Sequence, residues 1–194
     1  MDNVNNQFNK SESSIIKKIK YFVLYALNPV KVLSEEKKHP WYLYLILPAI
    51  GWMLFFLQVG LYRGSQFTYS AWKVIFMTVT GLIVGYISVL LISFLLTYLL
   101  AFWGVKVKAD QVISCLALSH TYMTFSMVLG LLYSIMGSVS PTSFGIAGLM
   151  STLLPIYAGI RTLGKKNVFI APVLASVVGV LLLAGWQLIL YINL

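Results

Sequence analysis

Five long apolar stretches dominate the chain from Trp41 to its last residue. None of them contains an Asp, Glu, Lys or Arg side chain. About 20 consecutive apolar residues suffice to cross the roughly 30 Å hydrocarbon core of a bilayer as an α-helix. The pattern therefore predicts an all-α polytopic membrane protein with five transmembrane helices, at residues 41–62, 74–104, 112–137, 142–160 and 168–191. Asp110 and the pair Ser140-Pro141 are the predicted starts of the third and fourth spans.

Two segments of different character precede this five-helix domain, which covers residues 41–194. Residues 1–14 are polar and rich in Asn and Ser, so we expect a disordered tail. Residues 15–40 predict cytoplasmic juxtamembrane helices, because apolar residues recur at helical spacing from Ile15 onward. This amphipathic stretch would lie in the membrane interface and turn basic residues toward anionic lipid headgroups: Lys17, Lys18 and Lys20.

Composition and charge agree with a membrane location. The 194 residues are 59% hydrophobic and 10% charged, whereas a soluble domain carries about 25% charged residues. The net charge is +9, and seven of the fourteen Lys and Arg residues lie before the first span, where attraction to lipid headgroups explains them more simply than nucleic-acid binding. With the N-terminus inside, cytoplasmic segments hold twelve Lys and Arg residues and the outer side holds two. This bias predicts a cytoplasmic N-terminus and an external C-terminus.

His120 is the one ionisable residue within a predicted span, and polar residues surround it in sequence. Intramembrane ionisable residues often serve as proton relays or ligand contacts. The alternative is a neutral histidine that hydrogen-bonds a neighbouring helix and acts only in packing. We therefore define a candidate polar site and leave both readings open: Ser119, His120, Tyr122 and Thr124.

The residues offer little material for catalysis or metal binding. The chain has two histidines and one cysteine, Cys115, without metal-ligand spacing. No GxSxG motif, phosphate-binding glycine loop or intramembrane Asp is present. We therefore expect no catalytic residues, no metal site, no cofactor and no enzyme activity.

Small residues on the second span predict a helix-packing face at Gly81, Gly85 and Ser88. Their GxxxG spacing lets two helices approach closely, and the partner could belong to this chain or to another protein. Three prolines, each able to remove a backbone hydrogen bond, are predicted to bend their helices: Pro48, Pro155 and Pro172.

The segment NPVKVLSEEKKHPWYLYLILPAIG before and into the first span, and IYAGIRTLGKKN after the fourth, resemble the YIP family of five-span membrane proteins, in particular its bacterial branch. The most specific part of the match is Asn28, Pro29 and Lys31. The resemblance implies a five-helix fold with a cytosolic N-terminus. The acidic Tyr-Gly-Pro signature of eukaryotic members is missing, so Rab binding is not implied.

The resemblance also implies a function. Bacterial relatives are accessory proteins, some associated with ATP-driven export systems and with resistance to membrane-active peptides. We therefore expect a non-enzymatic accessory or regulatory protein of a bacterial cytoplasmic membrane that binds another membrane protein, such as an export ABC transporter. The alternatives are a small channel or carrier with a polar path around His120, and a lipid-organising protein acting through the N-terminal lysines.

Overall fold

The computed structural model describes residues 41–67, 70–135, 141–164 and 169–191. These residues form seven helices and no strand: α1 (Trp41–Tyr44), α2 (Ile46–Phe67), α3 (Ala71–Phe102), α4 (Ala109–Ser119), α5 (Thr121–Ile135), α6 (Pro141–Leu163) and α7 (Ile170–Tyr191). The predicted tail, the amphipathic stretch and the motif residues Asn28, Pro29 and Lys31 lie outside the described residues, as do Lys17, Lys18 and Lys20.

Five helices are long and apolar enough to cross a membrane, so the chain is an integral membrane protein and the predicted all-α class is confirmed. They are Ile46–Arg63, Ala71–Phe102, Ala109–Tyr133, Thr142–Leu163 and Ile170–Gln187. Each corresponds to one predicted span. The longest, α3, has 32 residues and measures about 48 Å at 1.5 Å per residue, which exceeds the hydrocarbon core of a bilayer.

The first predicted span is divided at Leu45 into α1 and α2. Pro48 accounts for this break, because it has no N–H to donate to the Tyr44 carbonyl and its ring crowds that same carbonyl. The other two prolines behave differently. Pro172 lies in the first turn of α7, where no backbone bond is lost, and Pro155 lies inside α6, which continues past it to Leu163.

The third predicted span is divided at His120 into α4 and α5. Its start also differs from the prediction, since Lys108 rather than Asp110 is the N-cap residue of α4. The Lys108 N–H donates to Gln111 Oε1 over 3.2 Å, and Asp110 lies within the first turn. Pro141 begins α6, as predicted from its position as a first-turn proline.

Helix α2 is the centre of the bundle. It packs against α1, α3, α4, α5 and α6 and reaches α7 through Phe55, whose ring centroid lies 6.1 Å from that of Trp186. Phe55 also makes an edge-to-face contact with Trp52, with centroids 6.1 Å apart at 87°. These aromatic side chains are buried and form the middle of the core.

Helix α3 lies at the outside of the bundle. Only 28% of its span is buried, along a stripe that repeats every three or four residues: Met77, Gly81, Gly85, Val89, Ser93, Leu96 and Leu100. This stripe packs mainly against α2. The rest of the helix surface carries large apolar side chains that are exposed at membrane depth.

Candidate functional site

The candidate polar site lies at the junction between α4 and α5. His120 is 1% exposed, and its backbone turns at φ −71° and ψ −4° as the C-cap residue that follows α4. Its N–H is shared between the carbonyls of Leu116 and Ala117, at 3.3 and 3.2 Å. No proline is present here, and side chains compete with backbone N–H groups for the carbonyls of Leu116 and His120.

The histidine ring itself takes part in this competition. His120 Nδ1 lies 2.8 Å from the Leu116 carbonyl oxygen. Since a carbonyl oxygen only accepts, Nδ1 carries the proton and Nε2 of the neutral ring is left as an acceptor. Nε2 is buried and has no hydrogen-bond partner. It is one of four buried side-chain atoms among the described residues that have no hydrogen-bond partner, with Trp52 Nε1, Gln58 Oε1 and Trp186 Nε1.

Thr124 connects the break in α4–α5 to the break in α1–α2. Its hydroxyl lies 2.9 Å from the Leu47 carbonyl oxygen and 3.0 Å from the His120 carbonyl oxygen. Gly51 gives this side chain room, because a Cβ atom on Gly51 would stand 3.0 Å from Thr124 Oγ1. The first and third spans run in the same direction. The Thr124 hydroxyl links their two irregular turns through its hydrogen bond to the Leu47 carbonyl.

The other predicted members of the site are less closely associated. The Ser119 hydroxyl is fully buried and donates to the Cys115 carbonyl of its own helix over 2.8 Å. Tyr122 is half-buried at the start of α5. The structure thus brings His120 and Thr124 together with Leu47, and the Ser119 hydroxyl does not take part in that contact.

Gln58 was missed by the sequence reasoning. This α2 side chain is fully buried, its Nε2 donates to the Met127 carbonyl of α5, and its Oε1 has no partner. A Cβ atom on Gly130 would lie 2.9 Å from that oxygen, so the glycine makes room for the amide. The available signal was a single glutamine in the middle of an apolar span, where amides commonly bond neighbouring helices.

The predicted helix-packing face is occupied within the chain. A Cβ atom on Gly81 would meet the Trp52 carbonyl oxygen at 2.7 Å, and one on Gly85 would meet the Pro48 carbonyl oxygen at 2.5 Å. The GxxxG partner is therefore α2. Ser88 is half-buried, and its hydroxyl lies 3.3 Å from the Gly85 carbonyl oxygen of its own helix.

No three His, Cys, Asp or Glu side chains come together as a metal site in the part of the chain that the structure describes. Comparison with family models, curated proteins and solved structures finds no match for the chain. The resemblance to the YIP family therefore stays a prediction, and function has to be argued from the geometry.

Proposed function

We propose that this chain is a non-enzymatic membrane protein that acts as an accessory or regulatory subunit by binding another membrane protein within the bilayer. The observation that supports this proposal is the way in which the interior polar groups are used. The hydroxyls of Ser119, Thr121 and Thr124 all donate to backbone carbonyls of the chain itself. These three hydroxyls are therefore satisfied within the chain, whereas α3 carries exposed apolar side chains that another membrane helix can contact.

The identity of the partner and the orientation in the membrane are proposed from the sequence. The resemblance to bacterial YIP proteins suggests an export ABC transporter as the partner and resistance to membrane-active peptides as the process. The excess of basic residues suggests a cytoplasmic N-terminus, an external C-terminus and anionic lipids around the N-terminal lysines.

Helix α3 supplies the surface for this partner. We define its outer face as the exposed apolar residues between Leu82 and Phe94: Leu82, Ile83, Tyr86, Ile87, Leu91 and Phe94. The opposite stripe of α3 already packs on α2. A partner helix would therefore meet the outer face without displacing any contact of the fold, and association would come from close packing of side chains.

A photo-crosslinking amino acid placed at Leu91 tests this surface in native membranes. Leu91 is 64% exposed, whereas Val89, two residues earlier, is 1% exposed and provides the matched control. We expect a covalent adduct with a membrane subunit of an ATP-driven exporter from position 91 and none from position 89. Adducts with lipid alone, or the same products from both positions, would contradict the proposal.

A second candidate function is a small channel or carrier. The observation that favours it is the buried, unpartnered Nε2 of His120, which lies where the third span is interrupted in its middle. Interrupted helices at the midplane are a feature of transporter binding sites, and intramembrane histidines serve as proton relays.

Proton flux into liposomes containing a pH-sensitive dye discriminates the two candidates. The channel or carrier predicts flux that His120→Ala abolishes and that the control Gln58→Met, which alters a different buried polar group, retains. Flux no greater than that of protein-free liposomes would eliminate this candidate. Flux that survives His120→Ala would show that His120 is not part of the proton path.

A further inference from the structure

The outward surface of α7 carries a groove of about 550 Å³. It is lined by Pro172, Val173, Ser176, Val177, Val180 and Leu181. The exposed face continues along the same helix through Ala184 to Gln187. This α7 face is distinct from the outer face of α3, and no charged residue lies on it.

Two polar side chains lie on the α7 face. Ser176 and Gln187 are both exposed, and neither forms a hydrogen bond with another described residue. They are eleven residues apart, which is about three helical turns, so they point in nearly the same direction. The same face therefore presents a hydroxyl and a carboxamide together with the groove.

The depth of these groups makes their exposure significant. Both belong to the candidate span Ile170–Gln187; at 1.5 Å per residue, Ser176 lies about 9 Å from Ile170, and Gln187, the last residue of that span, lies about 6 Å before the last helical residue, Tyr191. Water is absent from the hydrocarbon region, so a polar group there is stabilised by a partner on another helix.

We propose that the α7 face binds the same face of a second copy of this chain, with the two helices parallel about a twofold axis. Two copies inserted with the same orientation present Gln187 at equal depth. A carboxamide is both donor and acceptor, so two Gln187 side chains satisfy each other across the axis.

The remaining residues of the face fit this arrangement. Ser176 and Ala184 are small and allow the two backbones to approach closely. The branched side chains that border the groove fill the space opposite these small residues. Since the face is uncharged, two copies meet without electrostatic repulsion. This pairing does not depend on the proposed accessory role, which uses α3.

Disulfide cross-linking of the full chain in liposomes at low protein-to-lipid ratio tests the pairing. In a Cys115→Ser background, Ser176→Cys is expected to give a cross-linked dimer under mild oxidation. Leu91→Cys on α3, which is also exposed, is the control and is expected to give only the low yield of random collisions.

Gln187→Leu, added to the Ser176→Cys chain, tests the hydrogen bond. We expect the dimerisation constant to fall about threefold or more, as for loss of an interhelical hydrogen bond in a membrane. Because Gln187 is exposed, the fold itself should be unaffected, and circular dichroism of the monomer verifies this. Equal cross-linking from positions 176 and 91, or a dimer that is insensitive to Gln187→Leu, would overturn the proposal. Cross-linking of position 176 only to a different protein in native membranes would also overturn it.

Discussion

Gly85 lies at a close approach between α3 and α2. A Cβ atom there would stand 2.5 Å from the Pro48 carbonyl oxygen and 2.9 Å from Trp52 Cβ. Backbone cannot rotate away as a flexible side chain does, so Gly85→Ala would push the two helices apart. We expect it to lower the free energy of unfolding by about 1–3 kcal/mol, the usual cost of overpacking.

Unfolding in bicelles, measured by steric trapping, checks this value. The control is Gly185→Ala on α7, because no atom lies within 4 Å of the Cβ position there. We expect that control to leave the free energy of unfolding unchanged or to raise it by up to about 1 kcal/mol, because alanine favours a helix over glycine. Equal effects of the two substitutions would show that the α2–α3 contact is looser than the structure indicates.

Thr124 provides a second test at the level of one residue. Thr124→Val keeps the shape of the side chain and removes the hydrogen bonds to the Leu47 and His120 carbonyls. Since membrane hydrogen bonds between helices average about 0.6 kcal/mol with a maximum near 1.7, we expect a loss of unfolding free energy in this range.

The matched control is Thr80→Val, whose hydroxyl is exposed and bonds only the Phe76 carbonyl of its own helix. Its substitution should leave the unfolding free energy nearly unchanged in the same bicelle assay. A Thr124→Val protein as stable as this control would mean that the bond between the two broken spans contributes nothing to the fold.

Individual residues were partly predictable from the sequence. His120 stood out because an ionisable group within an apolar span is costly and therefore rare. Gln58 did not stand out, because an uncharged amide costs less and is easily read as one polar residue among many apolar ones. The role of Gly81 and Gly85 in helix packing was recognised from their spacing, but their partner was not, since spacing holds no information on which helix lies opposite.

At the scale of helices, one of the two breaks is predictable from the sequence pattern and the other is not. The break at Leu45 follows from Pro48, whose missing N–H is visible in the sequence. The break at His120 depends on where the His120, Thr121 and Thr124 side chains point. It also depends on the Leu47 carbonyl of α2, which accepts a hydrogen bond from the Thr124 hydroxyl. Helical periodicity alone therefore predicts a continuous span through this position.

Two tryptophans allow a test of which helix surfaces are in contact with lipid. Trp72 is the second residue of α3 and is 76% exposed, whereas Trp186 of α7 is buried in the core. Brominated lipids quench tryptophans that they touch, so Trp72→Phe should remove much of the quenchable emission and Trp186→Phe should remove little. Fluorescence in brominated and unmodified vesicles measures the difference. Strong quenching that is lost with Trp186→Phe would place α7 differently in the bundle.

At the scale of the whole molecule, the number of spans was predictable and their arrangement was not. Each apolar stretch is long enough to cross a bilayer by itself, so length and hydropathy suffice to count them. The second stretch is the most apolar and the first is the least, but hydropathy alone does not identify which helices pack against each other. That arrangement follows from Gly51, Gly81, Gly85 and Gly130, which allow close contact at particular heights.

The alternation of the spans places the charged connections at opposite ends of the bundle, and this gives a prediction about orientation. Ser70 precedes α3 and Lys106 follows it, and both are exposed. The positive-inside rule predicts that Lys106 is cytoplasmic and Ser70 external. In intact cells, a membrane-impermeant maleimide should therefore label Ser70→Cys, and it should label Lys106→Cys only after the cells are permeabilised.

The native Cys115 is buried and should remain unlabelled, so the unsubstituted chain is the control. Lys106→Cys removes one positive charge from the side that holds twelve, which leaves the excess over the two on the other side intact. The substitution therefore reports orientation without changing it. The reverse labelling pattern would show that the orientation is opposite to the predicted one. Labelling of both positions in intact cells would mean that the chain inserts in both directions. That mixed result would also remove the equal depth of Gln187 in neighbouring copies, on which parallel pairing through α7 depends.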